Sequence, residues 1–272
     1  MRGERLLGSE LRVLFRRWRT WAMLAALASI PILMAVVVRL SSDPPGPGEG
    51  PPFLDQVTNN GMFVAVTALV MTTPLFMPLT IAVVSGDTIA GEASLGTLRY
   101  LLVAPAGRVR LLVVKYLTTV VFAVVASGTV LLVGWAIGAA LFGTGEATLL
   151  SGDTIGVGDA VLRSLLVGAH VTICMIGLAA IGQFISTLTD AGVGAMAAVA
   201  VLTIVAQVLG QLDQLAWLHP WLFTHHWLGF ADLLRTPIVW TSFTENAALQ
   251  GAYVAFFGAL AYGRFTTKDV LS

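Results

Sequence analysis

Leu111 to Phe142 reads LLVVKYLTTVVFAVVASGTVLLVGWAIGAALF, a run of 32 residues with one charge, Lys115, near its start. A helix at a protein surface carries a greasy stripe and a polar one, whereas this run is apolar on every side and calls for lipid or protein all round. As a helix it would be about 48 Å long at 1.5 Å per residue, more than the ~30 Å hydrocarbon core requires, so it is expected to tilt or to protrude as Gly138 to Phe142. Five further apolar runs flank it: Trp21 to Leu40, Met62 to Ser85, Val161 to Leu188, Gly192 to Leu212 and Ala247 to Tyr262, the last barely long enough to cross. The chain of 272 residues is 57% hydrophobic and 11% charged, against about 25% charged in an ordinary soluble domain. The expected fold is an all-α membrane protein with six transmembrane helices in one domain over residues 21–272.

Lysine plus arginine and aspartate plus glutamate number 15 each, so net charge gives no reason to expect a nucleic-acid partner. Position is more informative. Arg2, Arg5, Arg12, Arg16, Arg17 and Arg19 precede the first run, the loop from Ser41 to Gly61 has no lysine or arginine, and the next loop carries Arg99, Arg108, Arg110 and Lys115. Gly143 to Ala160 is again free of them, and the tail holds Arg264 and Lys268. The positive-inside rule then sets both termini in the cytoplasm of a multi-pass protein of the inner (cytoplasmic) membrane. Arg39 and Arg163 stand at outer span ends, from where a long side chain snorkels to the interface. A cleaved signal peptide is the alternative for the first run, since Ala26, Leu27 and Ala28 form an Ala-x-Ala arrangement, but the run continues through Val38 and favours a retained anchor. Cys174 lacks a partner for a disulfide and reads as packing. Gly251, Ala255, Ala259 and Gly263 recur every fourth residue, a stripe expected to face its own bundle, with a second protomer as the alternative.

Residues 1–20 place Leu7, Leu11, Leu14 and Trp18 at helical spacing among arginines, the pattern of a helix lying in the headgroup plane; a basic flank that merely sets topology would use the same residues. The loop 86–110 is more specific. Leu95, Leu98 and Leu102 give a short helix from about Ser94 to Val103 one greasy face, ended by Pro105 and Gly107. Asp87 and Glu92 before it and Arg99, Arg108 and Arg110 after it suit the helix dipole and permit pairing across the turn. The alternative is a re-entrant or interfacial helix that caps the bundle.

At Gly86, Asp87, Gly91, Glu92, Gly96, Thr97, Leu98, Leu101, Leu102, Pro105 and Arg108 the sequence resembles the type-2 ABC transporter permeases, and the six-run plan and basic start extend the likeness over nearly the whole chain. The resemblance implies an N-terminal amphipathic elbow helix, a cytoplasmic coupling helix that docks on an ATPase through Leu98, Arg99, Leu101 and Leu102, and outer re-entrant helices before the last span. It assigns Glu92, Gly96, Thr97, Pro105 and Arg108 to the same coupling loop. The implied partners are two copies of a cytoplasmic ATP-binding cassette ATPase, a second permease subunit in a homodimer or heterodimer, and membrane lipid. No cofactor is implied on this chain itself, with ATP and Mg on the ATPase.

The residues agree on where the energy enters. Lys115 and Lys268 are the only lysines and neither completes a phosphate-binding loop. No His-Glu-x-x-His helix or pair of acids inside the runs suggests an enzyme. An ion-coupled carrier is the alternative, with His170 its sole mid-span candidate. Asp213 to Glu245, with Trp217, Trp221, Trp227 and Trp240, is too aromatic for a free loop and is expected to fold back into the outer interface, broken at Pro220 and Pro237. Three histidines there, His219, His225 and His226, lack the spacing of a metal site. Thr72, Thr73, Gln207 and Gln211 put sparse polar groups among apolar walls, suited to a path for a hydrophobic or amphipathic cargo or equally to interhelical hydrogen bonds.

Overall fold

The computed structural model describes residues 2–41, 57, 60–97, 107–148 and 153–267, with the backbone alone at 2–5 and 147–148. The described chain is a helical bundle of α1 (Arg2–Arg16), α2 (Trp18–Leu40), α3 (Met62–Thr72), α4 (Phe76–Ser94), α5 (Arg108–Phe142), α6 (Val157–Leu188), α7 (Gly192–Leu209) and α8 (Thr241–Thr267). A two-residue antiparallel pairing, Ala147 with Ile155 and Thr148 with Thr154, closes the connection from α5 to α6.

Helices α2, α5, α6 and α7 are long and apolar enough to cross a membrane, and the bent pair α3 and α4, taken as one span, makes five. The protein is therefore a multi-pass membrane protein. Helix α8, at 27 residues, has the length but not the apolarity, because Asn246 and Gln250 occupy its buried face.

The run from Met62 to Ser85 is not one helix. It bends by 58° between α3 and α4, where Pro74 lacks an amide to donate. Thr72 and Thr73 return their hydroxyls to Leu69 O at 3.1 and 2.6 Å, a back-bonding that itself bends helices. Gln207 of α7 donates to the Pro74 carbonyl at 2.6 Å, a group the break leaves without a helical partner.

Helix α6 is the axis of the bundle: 67% of its apolar window is buried, against 28% for α7. It lies against α4, α5 and α8. Helix α4 is wedged between α6 and α7, close enough that a Cβ at Gly86 would run into the Met196 backbone. The stripe Gly251, Ala255, Ala259 and Gly263 is exposed, contrary to the expectation that it packs inside the bundle. Asn246 and Gln250, on a different face of α8, turn inward instead, because polar groups in hydrocarbon need partners more than small residues need neighbours.

The ends of the bundle differ. One, here the charged end, gathers α1, the end of α4 and the start of α5. The other, the aromatic end, is closed by residues 210–240, which form short 3-10 turns at Asp213–Leu215, His219–Trp221 and Gly229–Leu234 rather than α-helices. Phe223, Trp227, Phe230 and Leu233 are buried there, while Trp217, Trp221 and Trp240 stay exposed.

Candidate functional site

The segment Gly86 to Glu92 is not loop. Helix α4 runs nine residues past Ser85 and makes its last two turns from this motif. It stops in a Schellman arrangement: Gly96 N donates to Ala93 O and Thr97 N to Glu92 O, each at 3.0 Å, with Gly96 at φ +69. Only a residue without Cβ takes that conformation cheaply, which accounts for Gly96. The expected short helix therefore does not begin at Ser94, because Ser94 closes α4 and Gly96 turns the chain away. Leu98, Arg99, Leu101, Leu102 and Pro105 lie outside the described residues.

The motif's charges find partners far away in sequence. Asp87 Oδ2 accepts from Arg17 Nη1 at 2.8 Å and also from Arg19, in and just beyond the break between α1 and α2. Gly91, one turn on, leaves room for that carboxylate, since a Cβ there would strike it. Glu92 accepts from Lys115 Nζ at 3.3 Å and from the Thr97 hydroxyl, and Lys115 reaches Glu10 of α1 at 3.2 Å. Lys115 is 5% exposed, and Glu10 and Glu92 are 18% and 20%. An ammonium so desolvated is stable only because two carboxylates face it. Among the described residues these carboxylates pair with α1, α5 and the start of α2, while Arg99, one of the arginines expected to pair with them, lies outside the described residues. Arg108 donates to Phe265 O at 3.3 Å and Thr266 O at 2.9 Å, clasping the start of α5 to the C-terminal carbonyls of α8.

Ser186 of α6 completes the joint. Its hydroxyl donates to Gly86 O at 2.7 Å and accepts from Ile89 N at 3.0 Å and Ala90 N at 2.9 Å, taking a place in the backbone ladder of α4. Of the residues expected in the coupling loop, Glu92, Gly96 and Thr97 come together at the end of α4, and Arg108 faces α8. Glu10, Arg17, Arg19, Lys115 and Ser186 were missed as members of this site. A single lysine five residues into an apolar run was the available signal.

At the aromatic end, the four residues expected along a path divide. Thr72 and Thr73 are fully buried on their own helix. Gln207 and Gln211 line a cleft between the α3–α4 break and the aromatic segment. Arg163 does not snorkel outward: it is 8% exposed and donates to Leu233 O and Arg235 O at 2.8 and 2.6 Å, and to Thr236 Oγ1 at 3.2 Å. His170 Nε2 donates to His226 O at 2.8 Å, and Cys174 Sγ accepts from Asn246 Nδ2 at 3.3 Å.

The fold and these two ends define a helical multi-pass membrane protein whose spans are tied at one end by ion pairs. The chain belongs to the family described as Protein of unknown function (DUF2705), whose model matches residues 29–271, from within α2 to the tail. No curated protein matches it.

Proposed function

We propose that this chain is the membrane-spanning permease subunit of an ATP-driven exporter, with α8 as a sixth span and α1 as an elbow helix in the inner interface of the cytoplasmic membrane. The charged end then faces the cytoplasm with both termini. Two such subunits pair, as a homodimer or a heterodimer, and each carries a cytoplasmic ATPase that holds ATP and Mg. The cargo leaves outward and is hydrophobic or amphipathic: a drug, a lipid, a peptide or a natural product.

The observation that carries this reading is the joint of Glu10, Lys115 and Glu92. It ties α1, α4 and α5 close to Thr97 and Gly107, which flank residues 98–106 in the chain, so a push passed through those flanks would move three helices together. Thr97, bonded to Glu92, and Arg108, clasped to α8, extend the linkage on either side.

The test is Leu98→Glu. It is expected to leave the protein inserted and its unfolding temperature unchanged while lowering ATPase co-purification or cargo-stimulated hydrolysis. Unchanged coupling would sink the docking assignment. An ion-coupled carrier is the second reading, favoured by the full burial of His170, whose Nδ1 has no partner among the described residues. Sealed vesicles separate the two: uptake that follows an imposed ion gradient without ATP, and is lost in His170→Ala, would favour the carrier.

A further inference from the structure

Among the described residues, the side chains of other elements that donate to the backbone of the aromatic segment stand on one side of it. Tyr253 Oη donates to Trp221 O at 2.6 Å, Gln250 Nε2 to Phe223 O at 2.7 Å, His170 Nε2 to His226 O at 2.8 Å and Arg163 to the carbonyls of Leu233 and Arg235. All four donors stand on α6 or α8. A chain of 3-10 turns satisfies fewer of its carbonyls than an α-helix does, and these side chains supply donors, with His226 O accepting from Gly229 N at 3.0 Å as well.

The opposite edge is open. A cleft of ≈ 200 Å³ separates Pro74, Gln207 and Gln211 from Leu222, Thr224 and Trp227. Trp227 is 2% exposed, yet its indole N–H has no partner among the described residues. A buried donor left unpaired is costly; the indole nitrogen has no accessible surface in the cleft as it stands, so an acceptor reaches it only when the wall shifts. None of the lining side chains is an acid, a lysine or an arginine. His225, on the rim, is favoured in its neutral form: burial lowers its pKa, and the neighbouring His226 and His219 add to that against the pull of Glu245.

We infer that this cleft binds an uncharged amphiphile, which offers hydrogen-bonding groups to Gln207, Gln211, Thr224 and the Trp227 indole and apolar surface to Leu222 and Pro74. The aromatic segment is its movable wall, carried by α6 and α8. As the end of a cargo path the cleft rests on the exporter reading, but binding there is a property of this chain alone and requires no ATPase. A polar, hydrogen-bonding lining without charge selects against ions, because a charge entering it would lose water without gaining a counter-charge.

The test uses the full chain in nanodiscs of neutral phospholipid. Cys174 is wholly buried, so single cysteines at Gly210→Cys or Leu228→Cys, in the cleft lining but not among its hydrogen-bonding groups, report the cleft to a water-soluble methanethiosulfonate. Three probes share one tail: octyl glucoside, octyl sulfate and octyltrimethylammonium, each below its micelle threshold. Octyl glucoside is expected to slow modification at both positions at least about threefold, the protection given at twice the dissociation constant, while the charged congeners leave the rate unchanged. Trp227→Phe, which keeps a ring and removes the N–H, is expected to abolish that protection. A second readout needs no cysteine: octyl glucoside raises the unfolding temperature of the native chain and not of the Trp227→Phe chain. Equal effects of all three probes, no protection, or protection that survives Trp227→Phe would overturn the inference. Failure of Leu98→Glu to uncouple an ATPase would leave it standing.

Discussion

The two ends of the bundle face the same problem and solve it with different chemistry. At the charged end the helices are regular up to their caps and charged side chains pair with one another across α1, α4 and α5, with Ser186 and Arg108 adding bonds to the backbone. At the aromatic end the chain is irregular, and side chains of α6 and α8 are spent on backbone carbonyls. Charge pairs hold helix to helix and release abruptly when one partner leaves; hydrogen bonds to carbonyls hold a segment in place piece by piece. The first arrangement suits a joint that transmits force between spans. The second suits a cover that is carried by the half of the bundle to which it is bonded.

The largest effect is expected where the charge is most desolvated. Lys115→Met keeps length and volume but leaves Glu10 and Glu92 facing each other without their cation. Removing one partner of a buried ionic cluster costs about 3 kcal/mol or more, so reversible unfolding in mixed micelles should show a loss of that size. Adding Glu10→Gln and Glu92→Gln to Lys115→Met is expected to recover most of it. A small loss in the single variant would show that the charged end is not held by its ions. At the aromatic end Arg163→Met removes bonds to two carbonyls and a hydroxyl, and hydrogen bonds from a charged group are worth about 1.5–3 kcal/mol each at most. An overall loss of about 2 kcal/mol is expected, with faster hydrogen exchange confined to residues 229–236 and none at Ile89 or Ala90. Exchange that rises at both ends together would mean that the two are one cooperative unit.

Much of the bundle was legible because lipid-facing helices must be apolar along their whole length: each of the six apolar runs contains or overlaps a helix, with boundaries shifted by a few residues. The 58° bend was not, since the dip in hydropathy at Thr72 to Pro74 is too short to divide the run and a proline in a membrane helix does not by itself say whether the chain kinks or breaks. The charged end was half legible. The motif from Gly86 to Glu92 stood out, but its partners are 70 residues away for Arg17 and 105 residues apart for the Glu10 and Lys115 pair. Local order suggested the nearer arginines instead, and it is packing of α1 against α5 that decides. Arg163 was read as an interfacial side chain because its position at a span end fits one; the carbonyls that draw it inward belong to a segment without periodicity.

Ser186 crosses the division between the two ends, and its expected effect is the smallest. It stands at the charged end but works as the aromatic-end donors do, with its hydroxyl bonded to the backbone of a neighbouring helix. The Gly86 carbonyl and the Ala90 amide are partners across one turn of a regular α-helix, and Ser186 Oγ donates to that carbonyl and accepts from that amide. Ser186→Ala removes the bridging oxygen, and the α4 ladder has a fallback in closing on itself, so the net cost should be about 1 kcal/mol. The diagnostic is position rather than size. Exchange at Ile89 and Ala90 should change while Lys115 keeps its carboxylates, readable as an unaltered stability difference between the Lys115→Met chain and its parent in the Ser186→Ala background. If that difference shrinks, the hydroxyl and the ion pairs are coupled, and the joint at the charged end extends through α6 as well as α1, α4 and α5.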